Sequence, residues 1–217
     1  MFQFPPLPPV LQIHRQVAFA IAGVFVAIEA LFQLAEMGLV AGPQLRFETY
    51  AMFSFFDPWF DRLIAGEPTP MRVWWSFLTY AFLHGGMTHL LMNTAAFLGL
   101  SLLVLRIFGV PLYLVFFVAT AVGGSLGYGL MSHAEAPMVG ASGVVFGLIG
   151  VLKYAEFAFI TRRPGAGSMR SFLGSIGALV LINVILAVAM GGMLAWQTHL
   201  GGFVAGWVAA WIVVPKA

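Results

Sequence analysis

Apolar residues run through the chain in long blocks, separated by short polar connections and one long mixed stretch. Blocks of about 20 residues are what an α-helix needs to cross the apolar core of a bilayer. Six qualify: residues 17–40, carrying Glu29 and Glu36, then 88–108, 111–131, 142–160, 172–190 and 196–214. The pattern predicts an all-α fold, a polytopic membrane bundle of six transmembrane helices. A segment 1–16 precedes the single membrane domain 17–214, and a tail 215–217 follows it. Connections are short except 41–86, where Pro43, Asp57, Pro58, Asp61, Arg62, Glu67, Pro68, Pro70 and Arg72 mix with Phe53, Phe55, Phe56, Trp59, Phe60, Trp74 and Trp75. That mixture suits an amphipathic segment half inserted among lipid headgroups. A surface-lying cap without function fits it equally well.

Composition agrees. Of 217 residues, 61% are hydrophobic and 8% charged, with a mean hydropathy of +0.96. Soluble domains run at about 45–50% apolar and about 25% charged, so a soluble fold is excluded. There is no cysteine, which removes disulfides, thiol nucleophiles and cysteine-bound metals. The two aspartates, Asp57 and Asp61, share one polar stretch, whereas a membrane aspartyl protease needs two in separate apolar helices. No His-Glu-x-x-His and no Gly-rich phosphate loop occurs, and a net charge of +2 is too slight for nucleic acid. No metal or organic cofactor is expected.

The placement of charge says more than its amount. Six crossings put both termini on one side, together with Arg15, Arg106, Lys153, Arg162, Arg163, Arg170 and Lys216. Arg46, Arg62 and Arg72 fall on the other. The positive-inside rule then predicts cytoplasmic termini and an outer 41–86 loop. The Phe4-Pro5-Pro6-Leu7-Pro8-Pro9 run reads as an unstructured lead-in. It lacks the layout of a cleaved signal, so the first span is expected to be an uncleaved anchor.

Few polar groups remain inside the spans. Gly140-Ala141-Ser142-Gly143 opens the fourth, after the turn Ser132-His133-Ala134-Glu135. Alone, Gly-x-Ser-Gly is ordinary helix packing. Lys153 and Glu156, however, seek the inner interface farther along that helix. Lys153 lies about 16 Å of helix beyond Ser142, which leaves the serine below the outer surface but above the midplane. The helix start also has unpaired N–H groups, which favour an anion. His199 opens the sixth span about 25 Å from Lys216, at a comparable depth. A histidine opposite a serine at matching depth is a candidate general base. Gly202, Gly206 and Ala210 form a stripe of small residues on span six, and Gly143 and Gly147 form another on span four; such stripes let two helices approach closely. His89 and Asn93, four apart, share a face at the start of span two, where both can donate to an oxyanion. As isolated residues they would be structural, as His84 is. Glu29 reads as a buried, protonated or hydrogen-bonded packing residue.

Together these residues resemble the rhomboid family of intramembrane serine proteases, in its six-span bacterial type. The resemblance rests on His89-x-x-x-Asn93, Gly140-Ala141-Ser142-Gly143 and His199-x-x-Gly202-x-x-x-Gly206, in family order, over roughly residues 75–210. It implies a Ser142–His199 dyad, with Asn93, His89 and the Ser142 backbone N–H holding the oxyanion. It also implies substrates that are transmembrane proteins of the same lipid bilayer, with access through the first loop and span five. A bacterial inner membrane is the expected location, with the site opening outward; oligomeric state stays open. Two positions depart from the family. Phe146 stands where a tyrosine usually packs on the catalytic histidine, and Trp75-Ser76 replaces a Trp-Arg pair, leaving Arg72 as the nearest base. Two other readings compete: a non-catalytic rhomboid-like protein that binds transmembrane helices, and a small transporter, which the Gly-broken helices would also serve.

Overall fold

Helix boundaries in the computed structural model follow local chemistry more than the edges of the apolar blocks. The structure describes residues 7–132, 134–163, 165, 167–189 and 194–214. The Phe4-Pro5-Pro6 part of the lead-in, His133, Met190, Lys216 and the 215–217 tail lie outside the described residues. Helix α1 (Gln12–Glu36) begins and ends earlier than the 17–40 block. His14 Nδ1 accepts the Leu11 N–H at 3.4 Å, which starts the helix inside the 1–16 segment, just after the proline-rich lead-in. At the far end Gly38 and Leu39 donate back to Ala35 and Leu34, a C-terminal closure that stops it.

The 41–86 stretch is helical for much of its length: α2 (Leu45–Phe53), α3 (Asp57–Ile64), α4 (Arg72–Thr79) and a 3₁₀ turn (Tyr80–Phe82). Its aromatic residues form a shared core. Phe55 meets Phe60, Phe77 and Tyr128 with ring centroids 5.4–6.1 Å apart. Its backbone is stitched on as well, since Phe55 and Met138 exchange N–H···O bonds of 3.1 and 2.8 Å.

The apolar blocks 88–108 and 111–131 form one element, α5 (Met87–Met131). A straight helix of that length would run to about 67 Å, twice the apolar thickness of a bilayer. It is broken at Gly109, whose φ of 74° lies in the left-handed region. Pro111 follows in the first turn of the second arm, where its missing N–H costs nothing. Arg106, just before the break, donates to the carbonyls of Pro8 and Leu7 and so ties the lead-in to this corner.

Helices α6 (Ser142–Arg162), α7 (Met169–Ala189) and α8 (Trp196–Val213) complete the chain. The centre of the bundle is α8, lodged against both α5 and α6, with α1 along the outside of α5. Four helices, α1, α5, α6 and α7, are long and apolar enough to cross a membrane. Helix α7 is peripheral: among its described residues only Phe172 is fully buried, while Val180, Leu181, Val184, Ile185 and Val188 are exposed. Lys153 ties it to α6 by donating to Glu156 at 2.6 Å and to Ser175 at 2.7 Å. Those two charges are therefore largely covered between helices rather than standing free at an interface.

Candidate active site

Ser142 is the first residue of α6, and the turn before it is fastened from three directions. Met138 pairs with Phe55, the Gly140 N–H donates to the Tyr80 carbonyl at 3.0 Å, and the Tyr80 hydroxyl donates to Ala121 at 2.9 Å. Gly140 has a φ of 123°, a conformation that suits glycine. A Cβ there would also lie 2.7 Å from His89 Nε2 and 3.8 Å from Asn93 Nδ2. The tips of both α5 side chains thus face the turn that delivers Ser142. His89 Nδ1 accepts the Gly85 N–H at 3.2 Å, so the proton resides on Nε2, the nitrogen beside Gly140. Asn93 Nδ2 donates one hydrogen to the His89 carbonyl at 3.1 Å and keeps a second.

His199 comes from α8 and is 3% exposed. Its ring lies flat on Phe146, centroids 4.1 Å apart and planes within 5°. Phe146 is four residues after Ser142, one turn along the same face of α6. The stacking therefore survives without the tyrosine hydroxyl. The helices that bring the rings together touch backbone to backbone: a Cβ on Gly202 would overlap the Gly143 carbonyl, and one on Gly206 the Gly147 carbonyl. Ala210, next on that stripe, is fully buried.

One neighbour of this site was not singled out from the sequence. Asn183 of α7 places Oδ1 2.8 Å from His199 Nδ1. The available signal was a lone carboxamide in the middle of an otherwise apolar span, which is costly unless it has a partner. Beside it a groove of about 700 Å³ opens between α7 and α8, lined by Asn183, Val184, Val188, Trp196 and Leu200 among others.

Behind the site, His84 is 1% exposed, with its ring 5.3 Å from that of His89 and 5.4 Å from that of Phe25. Burial, with His89 adding a smaller repulsion, pushes its pKa down to about 3. The His84 carbonyl accepts from Arg46 at 3.0 Å and from the Tyr50 hydroxyl at 2.6 Å. Arg46 in turn pairs with both Glu29 and Glu36. Glu29 is accordingly buried and hydrogen-bonded, one of the forms expected for it, and its main partner Arg46 is the base that ties the outer segment to α1. Arg72 instead lies over the Trp59 ring at 5.3 Å. Ser76, at the position of the missing arginine, is buried and donates to the Val73 carbonyl at 2.7 Å. Among the described residues no group of three His, Asp or Glu is placed to hold a metal ion.

Comparison with known proteins agrees with the motifs. GluP, a rhomboid protease of Bacillus subtilis (strain 168), is 30% identical over 148 residues, covering 66% of this chain and 27% of GluP. YdcA of the same strain is 26% identical over 143 residues, 66% of this chain and 69% of YdcA. RHOMBOID-like protein 4 of Arabidopsis thaliana is 30% identical over 144 residues, 64% of this chain and 34% of its own length. The chain thus spans about a quarter of GluP and a third of the plant protein. The model of the Rhomboid domain matches residues 71–216, a stretch running from α4 through α8 that includes the Gly140 turn and the His199 helix. The chain belongs to the rhomboid family.

Proposed function

We propose that this integral membrane protein is a serine endopeptidase that cuts other membrane proteins in or near their transmembrane segments. The observation that carries the reading is His199 lying flat on Phe146, one turn from Ser142, opposite the two donors aimed at Gly140. Ser142 Oγ attacks the scissile carbonyl carbon while His199 Nε2 takes the hydroxyl proton. The resulting oxyanion is held by His89 Nε2–H, Asn93 Nδ2–H and the Ser142 backbone N–H at the start of α6. As the C–N bond breaks, His199 returns the proton to the leaving amine. Water, deprotonated by the same histidine, then releases the acyl group and restores Ser142.

In this reading the chain crosses the membrane six times. The arms of α5, 87–108 and 110–131, are each about 33 Å long, enough to pass the apolar layer, and the 18 residues of α8 fall at the short end of the length range for a spanning helix. The base count then puts the termini in the cytoplasm and the site on the outer side, in an inner membrane if the source is bacterial. The groove between α7 and α8 is the approach for a substrate helix.

Reconstituted with a labelled transmembrane substrate, the wild type is expected to cleave, and Ser142→Ala and His199→Ala to have no activity above background. Asn93→Ala should turn over about 10–1000-fold more slowly. Cleavage by both dyad variants at the wild-type rate would remove the assignment. A wild type that binds transmembrane helices without cutting them would instead favour a non-catalytic rhomboid-like protein.

A further inference from the structure

We infer that Asn183 of α7 is a positioning residue for His199, fixing which ring nitrogen carries the proton and making the base depend on the seating of α7. The inference rests on the protease reading for its purpose, but its structural half stands apart from it. Asn183 Oδ1 lies 2.8 Å from His199 Nδ1. A carboxamide oxygen accepts and cannot donate, so Nδ1 carries the hydrogen and Nε2 keeps its lone pair. That is the tautomer a general base toward Ser142 requires. An unconstrained histidine side chain favours the other tautomer, with hydrogen on Nε2, which leaves no lone pair there to take the serine proton.

The rest of the surroundings leave this task to Asn183. Phe146 covers one face of the ring and sets its plane, yet an aromatic face does not choose between the two nitrogens. The neighbouring Thr198 hydroxyl of α8 is buried without a hydrogen bond to the ring. His89 on α5 is the titratable group that faces His199, and it offers a donor toward Gly140. The helix bearing Asn183 is also the least embedded of the four long apolar helices. It is tied to its neighbours chiefly through Phe172 and Ser175 at one end, with Asn183 toward the other. A shift of α7 that widens its groove therefore removes the acceptor from His199 and leaves the ring stacked but free to change tautomer.

The test compares wild type with Asn183→Leu, which keeps the size but cannot accept, and Asn183→Asp, which keeps an acceptor at the same place. For kinetics, Asn183→Leu is expected to lose at least about 10-fold in kcat with little change in KM, because a base in the wrong tautomer does not act. Asn183→Asp should stay within about 10-fold of wild type, with the acidic limb of its kcat/KM profile moved to higher pH, since a carboxylate stabilises the imidazolium. Nitrogen-15 histidine spectra, with His199 assigned by its loss in His199→Ala, read the tautomer without any turnover. Nδ1–H is expected in wild type and Asn183→Asp, and Nε2–H in Asn183→Leu. Thermal unfolding of each variant in micelles identifies one that fails to fold. Wild-type kinetics and tautomer in Asn183→Leu, or Nε2–H in the wild type, would overturn the inference. A wild type that shows Nδ1–H yet cleaves nothing would sink the protease reading and leave the hydrogen bond's role in setting the tautomer intact.

Discussion

A histidine that refuses a proton until strong acid weakens a fold in mild acid, and His84 is in that position. In the unfolded chain its pKa is about 6.5; in the folded protein burial and the nearby His89 hold it at about 3. Between those values the unfolded state binds a proton that the native state does not, so stability falls as pH drops from about 6.5 toward 3. Above about 6.5 both states are neutral at this residue and it contributes no slope. Thermal unfolding in micelles should therefore show a declining midpoint from pH 7 to pH 4. His84→Leu should make the decline shallower. An unchanged slope in that variant would mean that His84 is not what the acid titrates.

At the scale of elements, the glycines of α8 and α7 have opposite roles although both helices carry them. Gly206 meets the Gly147 carbonyl with no room for a Cβ, whereas Gly177 of α7 has nothing within 4 Å. Gly206→Ala must push α8 off α6, an overpacking that costs about 1–3 kcal/mol and shifts His199 from Phe146. Gly177→Ala adds helix propensity of up to about 1 kcal/mol at no steric cost. Unfolding measurements on the pair should show a loss for the first and none for the second; equal losses would contradict the packing described for α8. Much of this was legible in the chain. The four-residue spacing of Gly202, Gly206 and Ala210 against Gly143 and Gly147 pointed to the contact, and the separation of the apolar blocks 88–108 and 111–131 fell where α5 breaks at Gly109. What hydropathy misled on was rank. Helix α8 sits at the centre yet is less apolar, because Gln197, Thr198, His199 and its glycines face protein. Helix α7 is rich in valine and leucine, yet most of these side chains are exposed. Among the short helices of 41–86, α2 was unreadable for a related reason: it has no buried residue to impose a period.

Across the whole molecule, the part the sequence left hidden is the link from α1 to the site, since it joins residues far apart in the chain. Glu29 is 1% exposed and Arg46 19%, paired at 2.9 Å, with Gln33 also donating to Glu29. Through Arg46 and Tyr50 the same cluster grips the His84 carbonyl, one residue before the Gly85 N–H that orients His89. It thus takes over the loop anchoring for which Ser76 has no charge to offer. Removing one partner of a buried pair strands the other charge, at a cost of about 3–5 kcal/mol. Replacing both with apolar side chains leaves no buried charge stranded, since Glu36 is exposed to solvent, and costs much less. Arg46→Met should therefore destabilise strongly, and adding Glu29→Leu to it should restore most of the loss. Turnover should separate the two consequences of the cluster. The double variant regains stability but not the hold on the His84 carbonyl, so its kcat is expected to stay below wild type while its unfolding midpoint recovers. Full recovery of both would reduce the ion pair to a local feature of α1 and α2. A double variant as unstable as Arg46→Met would show that the arginine's bonds to backbone, rather than its charge, hold the outer segment to the bundle.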